Sequence, residues 1–491
     1  MCFRTRRCVT ANLRVEGVAL ILTGILPAIL MLSLCVTTGY VFSVLPPYKN
    51  IVSRVIAKKS FSSELESMRG LLAFSVVIHH AVVWYLMLYY GSPEITGPNA
   101  NLYSQLGVAS VTLFFFMTGF LFWSKLIANP NPDFKTFMSA RLRRLGPAYL
   151  GAACFMFILV AFLSHFQLHT SASVLRSDVL RVLGAETPVL NGLAAAPWLW
   201  AVTWTLRFEF LFYLLIPFVG WFAGSFRKSL LFLGICGFVY GLNHVAQAAH
   251  LAPPYFGLYA AFVRHLIFTF SVGITCAQLV RIKKLKDFGR SSWAAVIAVA
   301  FILINFYFVP AKYGPVESLS LAFPFFAVAC GCSFWGALRS RAALFLGQIS
   351  YSVYLIHPLV FGAILIPLFR MEGAHMQSPR IYWPVMFLMA PVLVSVCTLW
   401  HHTFELPFLR KKTTVVIPPD TTGPALDLPA FTPAGGSPLP QRQAHAFALQ
   451  GGAETVGTGL AFPAGAVPAM RRAGFLPRKS RRTPSRSRLE P

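Results

Sequence analysis

Between residues 69 and 403 the chain alternates apolar runs of about twenty residues with short polar or basic connections. A run of that length matches the hydrocarbon thickness of a bilayer. Inside a bilayer each backbone N–H and C=O must be satisfied within its own segment, so each run takes the form of an α-helix. The runs fall near 69–90, 105–127, 146–165, 197–222, 229–248, 256–280, 291–309, 317–337, 344–369 and 381–403. The expected fold is therefore all-α, a polytopic membrane bundle of about ten transmembrane helices, with one extra N-terminal helix left open. Composition agrees: 56% of residues are hydrophobic and 12% charged, about half the charged fraction of a soluble chain.

The formal net charge is +26, yet its placement argues against nucleic acid as a partner. Lys and Arg sit between apolar runs and in the C-terminal tail, with no aromatic-basic platform beside them. Alternation from a cytoplasmic Arg69 puts Lys135, Arg141, Arg143, Arg144, Arg227, Lys228, five basic residues of 281–290, Arg339, Arg341, Arg410, Lys411 and Lys412 on the cytoplasmic side. The opposite loops hold only Arg176, Arg181, Lys312, Arg370 and Arg380, so the positive-inside rule fixes the orientation. Residues 1–60 form a basic and apolar extension that fits a signal-like segment, an extra span or an upstream addition. Residues 61–412 form the membrane domain, and 413–491 read as a disordered, Pro/Gly/Ala-rich basic tail. Cys330 and Cys332 lie in an apolar run without His or further Cys nearby, which favours packing over a metal site.

Polar residues stand out at five places within or between the apolar runs. Glu66, Arg69 and His80 share one face of the first run, with Arg69 and His80 eleven residues and so about 16 Å apart along a helix. Ionisable groups within a membrane face protein or water and carry function. Arg141 and Arg144, three apart in the first cytoplasmic loop, can hold phosphate oxygens with bidentate geometry, or simply mark the inner end of a span. Arg207 and Glu209, two apart in 197–222, cannot pair with each other on a helix, and His80 is the natural partner for Glu209. Ser350, Tyr354 and His357 fall at i, i+4 and i+7 on one face, with Tyr351 beside them. A final stretch, His401 to Phe408, closes the last run with Glu405 and Pro407.

In order, these stretches resemble the acyltransferase-3 family of membrane O-acyltransferases over about residues 62–410. Arg69 and His80 match the family's Arg-x10-His signature, and Arg141 and Arg144 its Arg-x-x-Arg. Leu113 to Phe120 looks like its aromatic Ser-Gly-Phe stretch, Trp204 to Phe210 its Trp-Ser-Leu-x-x-Glu-Phe, Ser350 to His357 its Ser-Tyr-x-x-Tyr-x-x-His, and Glu405 to Phe408 its Glu-x-Pro-Phe. The chain departs from the pattern at Glu66-Ser67, Thr112, Thr118 and Arg207; Thr112 and Arg207 alter charge within the membrane.

The resemblance implies transfer of an acyl group, acetyl first among them, from coenzyme A to a hydroxyl of a surface polysaccharide, lipopolysaccharide or related glycan. It implies a bacterial inner-membrane protein with a cytoplasmic tail, acyl-CoA (acetyl-CoA) as co-substrate and no bound cofactor; membrane lipid surrounds it. His80 would serve as base or nucleophile, and Arg69 would orient the donor or stabilise an oxyanion. Glu209 would orient His80, and Arg141 and Arg144 would bind the coenzyme phosphates. Glu66, Ser350, Tyr351 and His357 rank second as site or substrate residues. A carrier or flippase for a glycan or lipid-linked intermediate remains the alternative.

Overall fold

The computed structural model describes residues 24–58, 62–91, 93–95, 100–186, 188–193, 199–248, 268–372 and 378–409. The basic segment 1–14, the tail 413–491 and the first part of the expected span 256–280 lie outside the described residues. Among those described every regular element is a helix. In chain order they are α1 (Ile25–Val44), α2 (Tyr48–Lys58), α3 (Ser62–Tyr90), α4 (Ala100–Ala128), α5 (Phe134–Leu163), α6 (Ala172–Leu183), α7 (Trp204–Ala223), α8 (Phe226–Ala248), α9 (Phe268–Leu279), α10 (Lys283–Gly289), α11 (Ser292–Phe308), α12 (Pro315–Cys330), α13 (Arg341–Gln348), α14 (Ser350–Glu372) and α15 (Pro379–Trp400). A π-helical turn, His401–Glu405, extends α15.

Seven helices are long and apolar enough to cross a membrane: α1, α3, α4, α5, α7, α14 and α15 with its extension. The bent pair α10 and α11, at 68° to each other, makes an eighth if taken as one span. The expected ten is therefore not reached among the described residues: α12 is apolar but short, α8 is not among the seven, and α9 is described only from Phe268 onward. The chain is an integral membrane protein of helical architecture.

Helix starts follow elementary capping. Asp133 accepts from the backbone N–H of Lys135 and Thr136, and Ser291 and Ser340 do the same for Ala294 and Ala343. The Asp133 cap has a consequence for the site. It starts α5 at Phe134, seven residues before Arg141, so Arg141 and Arg144 belong to a helix rather than to the loop expected from sequence.

Helix α4 is the axis of the bundle, with 94% of its most apolar window buried, whereas α1 lies at the edge with 17%. Two close crossings hold the centre. A Cβ added at Gly70 of α3 would stand 2.5 Å from the backbone nitrogen of Gly347 in α13, and one at Gly119 of α4 would stand 2.7 Å from the carbonyl oxygen of Phe270 in α9. Backbone meets backbone at both points, and only glycine allows it. The first crossing fixes α3, which carries Arg69 and His80, against the segment leading to His357.

Candidate active site

His80 lies in the interior of α3, and its ring is 4% exposed, so it does not face lipid. Its Nδ1 is 2.7 Å from Nε2 of His357 on α14, and the two rings stack at 5.0 Å between centroids. His357 turns its own Nδ1 to the carbonyl oxygen of Val353 at 2.8 Å. Pro358 follows His357 and supplies no N–H to the preceding turn, which loosens the helix at this point. The hydrogen-bond directions follow from the carbonyl. Because Val353 O can only accept, Nδ1 of His357 carries the proton, and in a neutral ring its Nε2 is then an acceptor. His80 must donate from Nδ1, which leaves Nε2 of His80 as the nitrogen with an available lone pair. The neighbouring His79 points elsewhere, its Nδ1 donating to Tyr103 O at 2.8 Å.

The second half of the site is a buried cluster of charge nearer the start of α3. Arg144 has Arg69, Arg141, Glu405 and Glu209 as its charged neighbours. All five side chains are buried, none more than 7% exposed. Three guanidiniums stand against two carboxyl groups. Arg141 and Arg144, one helical turn apart, both face inward, while Leu142 and Arg143 between them are exposed. Arg141 is caged by aromatic faces, its guanidinium carbon lying 4.6 Å from the ring centre of Phe122, 5.6 Å from Phe137 and 5.7 Å from Tyr213. Nη2 of Arg69 points to Met117 Sδ at 3.7 Å. Such a cluster is held only as a whole, since removing one member of a buried ion pair costs about 3–5 kcal/mol.

Several expectations change with this geometry. Glu209 does not reach His80: it accepts from Tyr213 Oη and sits among Arg141, Arg144 and Arg69, while His357 takes the orienting place at His80. Arg69 and His80 lie on one unbroken helix about 16 Å apart, too far for Arg69 to stabilise charge on an atom reacting at His80. Arg207, within the apolar helix α7, has its partner outside that helix. At the start of α7 it bonds Glu186 at 2.7 Å and Gly184 O at 2.9 Å, tying α7 to the long 166–196 connection. That connection is built as a rim, with α6 capped by Ser171 and with Asn191 bonding Ser164, Gln167 O and the N–H of His169.

The second-rank residues divide. Glu66 accepts from Gln348 beside the Gly70–Gly347 crossing, and Ser350 Oγ turns to Gly347 O. Tyr351 Oη donates to Leu145 O, next to Arg144, and Tyr354 Oη to Val202 O. Of the polar face 350–357, His357 alone meets His80. Glu405, in the stretch that closes the last run, is a member of the charge cluster and accepts from Ser352. Its placement depends on the π-helical turn, for which an apolar pattern carries no signal. Tyr48 of α2 joins the same region, hydrogen-bonding Nδ1 of His401 at 2.8 Å. A surface cleft of about 390 Å3 on α5, lined by Phe134, Lys135, Met138, Ser139, Leu142 and Arg143, shares no residue with the site.

Among the described residues the site thus offers a buried imidazole nitrogen with an available lone pair at His80 and a buried arginine cluster drawn from α3 and α5. A family model for an acyltransferase domain, acyltransferase-3, matches residues 62–400, which include His80, Arg141, Arg144, Glu209 and His357. No curated protein and no solved structure matches the chain.

Proposed function

Because the chain belongs to the acyltransferase-3 family and is a membrane acyltransferase acting on groups other than aminoacyl, we propose that it moves an acetyl group from coenzyme A to a hydroxyl of a surface glycan. The observation that carries this reading is the chain of bonds from Val353 O through His357 to His80, which prepares one nitrogen as a base. Nε2 of His80 would take the proton of the acceptor hydroxyl as its oxygen attacks the thioester carbonyl carbon. Collapse of the tetrahedral intermediate breaks the carbon–sulfur bond, and the coenzyme thiolate leaves with the proton returned by His80.

The donor's phosphates suit the arginine cluster, where guanidiniums outnumber carboxylates. The distance of about 16 Å along α3 between that cluster and His80 is one that the flexible pantetheine arm of coenzyme A spans, so head group and thioester would occupy the two halves of the site together. Arg69 then orients the donor. By the positive-inside rule the arginine end would face the cytoplasm of a bacterial inner membrane, where acetyl-CoA is found, with the C-terminal tail on the same side. The acceptor would approach from the rim formed by residues 166–196.

The test is acyl transfer by purified protein in detergent, where a carrier has no membrane to work across. His80→Ala should abolish transfer from acetyl-CoA while leaving normal abundance in the membrane. Undiminished transfer by that variant would refute the mechanism.

A further inference from the structure

Away from the histidines and arginines, one buried carboxylate has no cationic partner among the described residues. Glu317, in the first turn of α12, is 1% exposed. Its Oε2 accepts from Gln105 Nε2 of α4 at 2.9 Å and from Asn305 Nδ2 of α11 at 2.8 Å. Gln105 and Asn305 are fully buried. A carboxylate at the start of a helix ordinarily turns to the N–H groups of that helix; this one turns away, toward the two amides.

The orientation of both amides is fixed by their other contacts. Nε2 of Gln105 also donates to the carbonyl oxygen of Val309 at 2.9 Å, and a flipped amide would set oxygen against oxygen there. Nδ2 of Asn305 donates to Ser320 Oγ at 2.7 Å, whose own proton goes to Glu317 O. Three oxygens are consequently buried with no hydrogen-bond donor: Oε1 of Glu317, Oε1 of Gln105 and Oδ1 of Asn305. The hydroxyl of Ser318, also buried, has no partner either. Each of the two amide oxygens shares a carboxamide with a nitrogen that donates to Glu317 Oε2, so both belong to groups in contact with the carboxylate.

A proton on Glu317 would satisfy its own oxygen and one amide oxygen, leaving the other stranded. A cation satisfies all of them together, and hard oxygen donors select a hard ion. One carboxylate balances one positive charge; a divalent ion would leave the interior charged.

We propose that Glu317, Gln105 and Asn305 form the binding site of a single sodium ion that ties α4, α11 and α12 together. The site lies near the ends of these helices remote from the arginine cluster, and it stands independently of the donor and acceptor proposed above.

Thermal unfolding of the purified full chain in detergent tests this, in sodium chloride against choline chloride at equal ionic strength. Saturating sodium should raise the unfolding midpoint by roughly 2–6 °C. Glu317→Gln should lose the sodium shift, and Asn305→Ala should move the sodium titration to higher concentration. If Glu317→Gln does not accumulate, the wild-type and Asn305→Ala titrations still decide. Equal midpoints in sodium and choline, a full shift retained in Glu317→Gln, or a midpoint that rises on acidification alone would each overturn the proposal.

Discussion

Replacing His357 by leucine removes the acceptor for His80 while keeping an apolar side chain of similar volume. The 2.7 Å bond from His80 Nδ1 disappears, and in a ring only 4% exposed no bulk water takes its place. Val353 O keeps the N–H of residue 357 as its intrahelical donor, so the leucine strands no second group. The ring at 80 then either holds a buried unsatisfied N–H or moves its proton to Nε2, the nitrogen that must be bare for catalysis. The first costs about 1–3 kcal/mol, and the second forfeits a tautomer preference of the same size. At about 1.4 kcal/mol per factor of ten, kcat should fall roughly 5- to 150-fold. KM for acetyl-CoA should stay near the wild-type value, because the arginine cluster that suits the donor's phosphates lies about 16 Å away along α3. His357→Gln, whose side-chain oxygen can accept the same bond, should recover most of the rate. Steady-state kinetics on purified variants at matched folded concentration read both parameters. Wild-type kcat in His357→Leu, or a loss confined to donor KM, would refute the role given to the second histidine.

Arg141→Lys keeps the charge but loses the planar group stacked among Phe122, Phe137 and Tyr213. Donor KM should rise several-fold with little change in abundance; a change in acceptor KM alone would reassign that arginine. Arg144→Ala should instead deplete folded protein, as it leaves Glu209 and Glu405 with less compensation at about 3–5 kcal/mol, and fluorescence-detected size exclusion of detergent extracts would show it. Gly70→Ala forces a Cβ to within 2.5 Å of backbone at Gly347, and overpacking of this kind costs about 1–3 kcal/mol, read as a lowered unfolding midpoint. Arg207→Ala should cost no more than about 1 kcal/mol, because Arg207 and Glu186 are both partly exposed. It should nonetheless speed protease cleavage in the connection between α6 and α7.

What the sequence disclosed, and what it hid, divides by the range of the interaction. Apolar length is local, and helices α3, α4, α7 and α15 cover the runs expected of them, whereas α5 begins at Phe134, well before the run expected from 146. Spacing within one helix was equally legible: Arg141 and Arg144 do share an inward face, and His357 does lie on an interior one. Pairing between helices was not. Nothing in the order of residues says that His80 meets His357 rather than Glu209, because both candidates fit the same apolar background. Glu317, Gln105 and Asn305 stayed invisible for the same reason, since each looks like an ordinary polar residue near a helix end until the three are brought together. The partner of Arg207 was hidden in the same way. The arginine sits in an apolar run by sequence, but three residues past the start of α7 its long side chain reaches the rim, where Glu186 and Gly184 receive it.

The π-helical turn at His401–Glu405 has a consequence for how this chain tolerates change. A turn holding one residue more than its neighbours advances the helix by about 100° relative to a uniform α-helix. Glu405 and the residues after it therefore keep a different phase from the body of α15. Deleting a single residue between 401 and 405 would barely shorten the helix, yet it would swing the carboxylate from Arg144 toward the flank of the bundle. At this place length counts for more than identity, and an insertion or deletion is the graver lesion.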